Sequence, residues 1–297
     1  MTIDSREESV AVMRRAGGPL LPSVGRSLSA GGRERSYRLY RPGSVEPGRP
    51  APLVLVLHGG YGSAGQAEQA YGWDELADRH GFLVAYPDGV GRSWNAGWCC
   101  GPAHIHDVDD VGFVGGLIAD ISAGDSVDPG RVFAAGVSNG AMLAYRIACE
   151  SPGLLAAIGA VAGTMVCDCP RPGPVSLLHI HGLEDRNVPF WGGVGPKAVD
   201  RRQRPSVPSV IQFWRTGGGC GWPTVVEEGQ VRRESALGPG GIEVCLITLA
   251  GVGHVWPGSR PPSSRVAAML NLDPPSNVID ATEELWSFFT AHSRSWP

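Results

Sequence analysis

The sequence holds no apolar run near the roughly 20 residues that a bilayer-spanning helix needs, so a transmembrane helix has nothing to be built from. It also lacks an excess of positive charge. The net charge is −4, which removes the electrostatic footprint of a nucleic-acid partner. The opening stretch, MTIDSREESVAVMRRAGGPLLPSVG, begins with acidic residues and has no apolar h-region. It does not read as a secretory signal, and on that ground the cytoplasm is the favoured compartment. No internal repeat, low-complexity tract or interdomain linker is visible. The seven cysteines never take the C-x-x-C spacing of a zinc site, so no structural metal is expected. Seven is odd, which leaves at least one thiol free or paired between chains. Bridges are expected from Cys220 to Cys245 and from the Cys99–Cys100 loop to Cys149.

The 297 residues, 42% hydrophobic and 18% charged, suit one folded domain with ample apolar side chains for a core. Residues 1–24 read as a flexible N-terminal segment and 25–297 as the domain. SLSAGGRERSYRLYRP places Gly31-Gly32 between two polar–apolar runs, a hairpin signal. APLVLVLHGG is a continuous apolar run ending in glycines, as in a strand buried on both faces. Helix and strand patterns then alternate. QAEQAYGWDELADRH, DDVGFVGGLIADISAG, NGAMLAYRIACES and NVIDATEELWSFFTAH read as helices, the last with Ala281, Leu285, Phe288 and Phe289 on one stripe. GFLVAYPDG, RVFAAG, LAAIGAVAG, VSLLHIHG and IEVCLITLAG read as strands. The alternation predicts an α/β fold with a mostly parallel sheet, whose functional groups gather at the C-terminal strand ends.

Four short stretches fall at such ends. Gly136-Val137-Ser138-Asn139-Gly140 is a G-x-S-x-G motif between a strand and an amphipathic helix. That context is a nucleophile elbow, which strains the serine backbone and lifts Oγ above the sheet. Serine at its free pKa is a poor nucleophile and needs a base. His254, in LAGVGHVWPG after the last strand pattern, is the candidate base. Asp185, in HIHGLEDRNVPF, is the candidate orienting acid, with Glu184 as its neighbouring competitor. The chain order Ser, Asp, His is the one this elbow uses. A tetrahedral intermediate needs preorganised donors for its oxyanion. The backbone N–H of Asn139 is one, and the His58-Gly59-Gly60-Tyr61 loop supplies the other, assigned to Gly60. His58 is expected to buttress that loop.

The remaining histidines carry weaker readings. His104 and His106, near Asp107, Asp109 and Asp110, read as a solvated loop before a charged helix start. His179 and His181 lie in the strand before Asp185 and read as packing or loop support. Tyr61, Trp94, Trp191 and Trp256 all fall in predicted strand-end loops and are expected to line an aromatic substrate cleft. The Gly/Pro-rich segment RNVPFWGGVGPKAVDRRQRPSVPS either covers the site or forms a surface loop.

LVLVLHGGYGSAG, VAYPDGVGRSWNAGWCCGPA, VDDVGFV, VDPGRVFAAGVSNGAMLAYRIAC, HIHGLEDRNVP and GVGHVWPG occur in that order. Together they resemble the polyhydroxybutyrate depolymerase-type esterases of the α/β-hydrolase fold, relatives of feruloyl and acetylxylan esterases. The resemblance runs from about residue 30 to the end. It implies serine-dependent hydrolysis of a small or oligomeric ester, without metal or organic cofactor. The family's nucleophile, acid and base fall on Ser138, Asp185 and His254, the residues that the strand-end reading selects. Short acyl esters and hydroxyalkanoate oligomers are the expected substrates, with feruloyl or acetylxylan esters as the alternative. A serine peptidase or a non-catalytic binding protein on the same scaffold is the competing reading.

Overall fold

Six apolar runs become the central strands of one ten-stranded sheet. The computed structural model describes residues 22–198, 200–269 and 271–294. The expected flexible segment 1–24 therefore lies outside the described residues up to position 21. The central strands are β3 (Ala51–Leu57), β4 (Leu83–Pro87), β5 (Val127–Val137), β6 (Ala157–Val161), β7 (Ser176–Gly182) and β10 (Glu243–Leu249). They pair parallel in the order β4-β3-β5-β6-β7-β10. Every residue of β3, β4, β6 and β7 is buried, because helices cover both faces. Each fully buried Val or Leu side chain contributes about 1.5–3 kcal/mol relative to exposure.

Antiparallel pairs close both edges. β1 (Val24–Ala30) and β2 (Arg33–Tyr40) join Ala30 to Arg33 through Gly31 and Gly32, the predicted hairpin. Both glycines have positive φ, 57° and 70°, as a two-residue turn of this hand requires. At the other edge lie β8 (Thr224–Glu228) and β9 (Val231–Leu237), a hairpin that sequence patterning misses. All five residues of β8 are exposed, so no buried face imposes an alternation.

The helices are α1 (Ala64–Tyr71), α2 (Trp73–His80), α3 (Gly101–Ile105), α4 (Asp110–Gly124), α5 (Asn139–Glu150), α6 (Val207–Gly217), α7 (Ser264–Met269) and α8 (Ala281–Ala291). The single helix expected over QAEQAYGWDELADRH is two, broken at Gly72, whose φ of 75° cannot continue a right-handed helix. One core layer packs Phe113 of α4, Leu143 of α5 and Trp214 of α6 against the sheet. The other packs Trp73 of α2 and Leu285 and Phe289 of α8. Among the described residues no helix is long and apolar enough to cross a membrane.

Candidate active site

Ser138 stands between β5 and α5 with φ 53° and ψ −117°, a region that costs a non-glycine residue about 1–3 kcal/mol. Two backbone bonds hold it there: Ser138 N–H donates to Val161 O at 2.9 Å, and Met142 N–H donates to Ser138 O at 3.0 Å. The flanking glycines are steric necessities. A Cβ on Gly136 would lie 2.4 Å from Gly140 O, and one on Gly140 would lie 2.2 Å from Leu57 O. The turn is thus tight enough to exclude any side chain on either flank.

Asp185 and His254 meet at the same edge of the sheet. Gly182 ends β7 so close to the chain leaving β10 that a Cβ on it would lie 2.2 Å from Val252 O. Glu184 N–H donates to Val252 O at 2.9 Å, which stitches the two loops together. Asp185 then accepts from His254 Nδ1 at 2.7 Å through Oδ2. Its Oδ1 accepts from the N–H groups of Asn187 and Val188, both at 2.8 Å. The Asp185 side chain is fully shielded while that of His254 keeps 16% of its surface. Burial opposes charge on both groups, but their mutual attraction and hydrogen bond outweigh it. His254 is held above the ordinary 6.5 and Asp185 below the ordinary 3.8. Among the described residues, Glu184, the competing acid, makes no hydrogen bond or ion pair with His254.

A second tie holds His254 from behind. His254 N–H donates to Asp273 Oδ2 at 2.7 Å. Lys197 Nζ donates to Asp273 Oδ1 at 2.6 Å and to Asn271 O at 3.1 Å. Lys197 is the one lysine of the chain. Its N–H donates to Arg186 O at 2.9 Å, so the pair links the segment following Asp185 to the segment following His254. Sequence reasoning misses Asp273 and Lys197, because nothing in their local pattern signals the approach of two remote loops.

The loop after β3 is also held from several sides. Tyr61 N–H donates to Arg92 O at 2.8 Å and Gly62 N–H to Gly59 O at 3.0 Å, which leaves the Gly60 N–H uncommitted among the described residues. Asn139 opens α5, where first-turn N–H groups have no intrahelical acceptor. His58 buttresses the loop as expected: its Nδ1 contacts Gly59 O at 2.8 Å and its Nε2 accepts from Gly89 N–H at 3.0 Å. Burial lowers its pKa and keeps it neutral. The side chain of Asn139 grips the Trp94 backbone from both directions, accepting from its N–H at 2.7 Å and donating to its carbonyl at 3.0 Å.

Two expected cleft residues stand elsewhere. Trp94 is fully buried and its indole N–H donates to His58 O at 2.8 Å, so it braces the loop and has no surface for a ligand. Trp256 is 3% exposed, stacks on Tyr71 at 4.5 Å and donates to Thr282 Oγ1. It pins the loop beyond His254 to α8. Tyr61 and Trp191 are exposed, at 59% and 77%. The expected disulfides are also corrected. Cys149, at the end of α5, pairs with Cys169, Cα atoms 5.5 Å apart, while Cys99 and Cys100 are bonded to each other. Cys220 and Cys245 are free thiols, as is Cys167. The structure joins Asp185 to His254; among the described residues no hydrogen bond joins Ser138 to His254.

Comparison with known proteins decides the family. A family model described as Esterase PHB depolymerase matches residues 35–216, a span that holds the elbow serine, the Gly59-Gly60 loop and Asp185. The chain belongs to this esterase family. It is similar to the protein named "Putative esterase NocK" of Nocardia uniformis subsp. tsuyamanensis, at 33% identity over 81% of this chain and 76% of NocK. It is 30% identical to feruloyl esterase B of Piromyces equi over 69% of this chain, but spans only 40% of that protein. Among solved structures, an acetyl xylan esterase from Aspergillus awamori superposes with a TM-score of 0.59 at 14% identity, covering 84% of this chain and 99% of that one. A thermostable esterase superposes at 0.55 and 18% identity, over 92% and 63% of the two chains. At such identities the superpositions show the α/β-hydrolase-type fold alone. As a PHB depolymerase-type esterase the protein is a carboxylic ester hydrolase.

Proposed function

We propose that this esterase works through an acyl-enzyme on Ser138, with His254 as base and Asp185 as orienting acid. The observation that carries the reading is the 2.7 Å contact of His254 Nδ1 with a buried carboxylate, at the same sheet edge as a strained serine. Asp185 can only accept there, so the proton sits on Nδ1 and Nε2 is left as a base. Ser138 Oγ attacks the ester carbonyl while Nε2 takes its proton. The C–O bond order falls to a single bond, and the oxyanion meets the N–H groups of Asn139 and Gly60. The intermediate collapses, the ester C–O bond breaks, and His254 returns the proton to the leaving alkoxide. Water repeats the sequence on the acyl-enzyme, releasing the acid and restoring Ser138.

Short acyl esters and hydroxyalkanoate oligomers are the substrate class we assign. Of the four aromatic residues expected to line the cleft, Tyr61 and Trp191 are the two that are exposed, and we assign them the contact. Feruloyl esters are the second reading, supported by the likeness to feruloyl esterase B. Initial rates on p-nitrophenyl butyrate, hydroxybutyrate oligomers, methyl ferulate and acetylated xylan distinguish these readings. Ser138→Ala is expected to lower p-nitrophenyl butyrate turnover by about 10⁴-fold or more with the fold intact. Retention of most activity would rule out the serine mechanism.

A further inference from the structure

β7 places two histidines, His179 and His181, on one face of a buried strand two residues upstream of the loop to Asp185. Both are essentially without solvent contact, as is Tyr145 of α5, which faces them. The three form a continuous chain. Tyr145 Oη lies 2.7 Å from His179 Nδ1, His179 Nε2 lies 3.0 Å from His181 Nδ1, and His181 Nε2 lies 2.9 Å from Val188 O. His181 Nε2 is also 3.4 Å from Asp185 Oδ2.

Chemistry gives the chain one direction. Val188 O and the Asp185 carboxylate can only accept, so His181 Nε2 must carry a hydrogen. Burial pushes both imidazoles down from the ordinary 6.5, so each is neutral and carries one. His181 Nδ1 is then an acceptor, which makes His179 Nε2 the donor and His179 Nδ1 an acceptor for the phenol of Tyr145. The groups facing the pair are Tyr145 from α5 and Asp185 and His254 from the strand-end loops. The far end bears on the site. Val188 takes the His181 hydrogen bond on its carbonyl and gives its own N–H to Asp185 Oδ1 at 2.8 Å.

We propose that Tyr145, His179 and His181 form a one-way hydrogen-bond chain that positions the Asp185 carboxylate against His254. The proposal rests on reading Asp185 as the acid of the triad. His181 is the positioning residue in direct reach, fixing the turn through Val188 and presenting its N–H toward Oδ2. His179 and Tyr145 set its tautomer from behind.

Selective ¹⁵N-histidine labelling of the full chain tests the direction without reference to catalysis. His179 and His181 are expected to show protonated Nε2 and bare Nδ1, unchanged from about pH 5.5 to 8.5, a range that spans the ordinary histidine pKa. A protonated Nδ1 on His181, or titration of either ring in that range, overturns the chain. Kinetics test the positioning. His181→Phe is expected to lower kcat about 10- to 100-fold at constant KM, the cost of misplacing a catalytic group by up to about 1 Å. Tyr145→Phe is expected to lower kcat roughly 2- to 10-fold, the worth of one net hydrogen bond. His181→Gln offers an acceptor toward His179 and a donor toward Val188, and is expected to recover most of the loss. Equal defects in His181→Phe and His181→Gln, or wild-type kcat in His181→Phe, overturn the positioning role. If Ser138→Ala keeps its activity, the triad reading fails instead, and the tautomer result stands apart from it.

Discussion

Asp185→Asn exchanges one oxygen for an NH₂ group, yet the structure predicts a loss of about 10⁴-fold in kcat. Donors converge on the carboxylate from every side: His254 Nδ1 at 2.7 Å, the Asn187 and Val188 N–H groups at 2.8 Å, and His181 Nε2 at 3.4 Å. A carboxylate accepts them all, whereas asparagine accepts at one atom only. The two backbone N–H groups keep Oδ1, so the new NH₂ takes the place of Oδ2 and faces Nδ1 of His254. His254 then accepts at Nδ1 and carries its proton on Nε2, presenting a donor where Ser138 needs an acceptor. In the Ser-His-Asp template a wrong tautomer costs about 10⁴-fold in kcat, equivalent to about 5.5 kcal/mol of barrier. The assay is kcat for p-nitrophenyl butyrate across pH, with thermal unfolding as the control for folding. Wild type is expected to gain activity as pH rises through a midpoint above the ordinary 6.5, because Asp185 holds the His254 pKa up and only the neutral base works. The variant is expected to lose that elevation along with its rate. A loss under about tenfold, in a variant that folds normally, would refute the orienting role of Asp185.

Asp74 gives a pH-dependent stability prediction remote from the site. It is buried on α2, accepts from Tyr86 Oη at 2.6 Å, and burial pushes its pKa from 3.8 up to about 7. The unfolded chain therefore ionises first as pH rises, and stability from this group falls between about pH 4 and pH 7, by on the order of 4 kcal/mol. Asp74→Asn keeps the acceptor for Tyr86 and is expected to stabilise the protein above pH 7 but not near pH 4; urea unfolding at both pH values checks this, and equal effects at the two contradict it. Asp273→Ala removes the acceptor for His254 N–H and is expected to lower kcat roughly tenfold with a small change in KM, since one charge-assisted hydrogen bond holds the base loop. Lys197→Met leaves that bond and is expected to lower kcat less than Asp273→Ala does. Equal losses in the two would show that the ion pair, and not the His254 contact, matters.

Much of this was legible in the sequence because the signals are local. The β5–α5 elbow follows from G-x-S-x-G between an apolar run and an amphipathic helix, and Asp185 and His254 from their distance past two strand patterns. The rest depends on contacts between remote segments. Trp94 and Trp256 occupy strand-end loops, as read, but turn their rings inward to hydrogen-bond partners that composition cannot reveal. The pairing of Cys149 with Cys169, rather than with the Cys99–Cys100 loop, depends on where the chain after β6 returns along α5. The β8–β9 hairpin escapes notice because its exposed strand has no apolar face to read. His179 and His181 had a usable signal: two polar side chains at i and i+2 inside a strand whose every residue is buried. Such a pair must find partners, and here they lead toward Asp185.

The most direct test of the account is covalent. A fluorophosphonate probe, titrated against the esterase and followed by activity and by peptide mass mapping, reports where the nucleophile lies. One equivalent of label on Ser138 is expected, with activity falling in parallel with labelling and no label in Ser138→Ala. Full inactivation with the label on another residue, or full activity with Ser138 labelled, would contradict it.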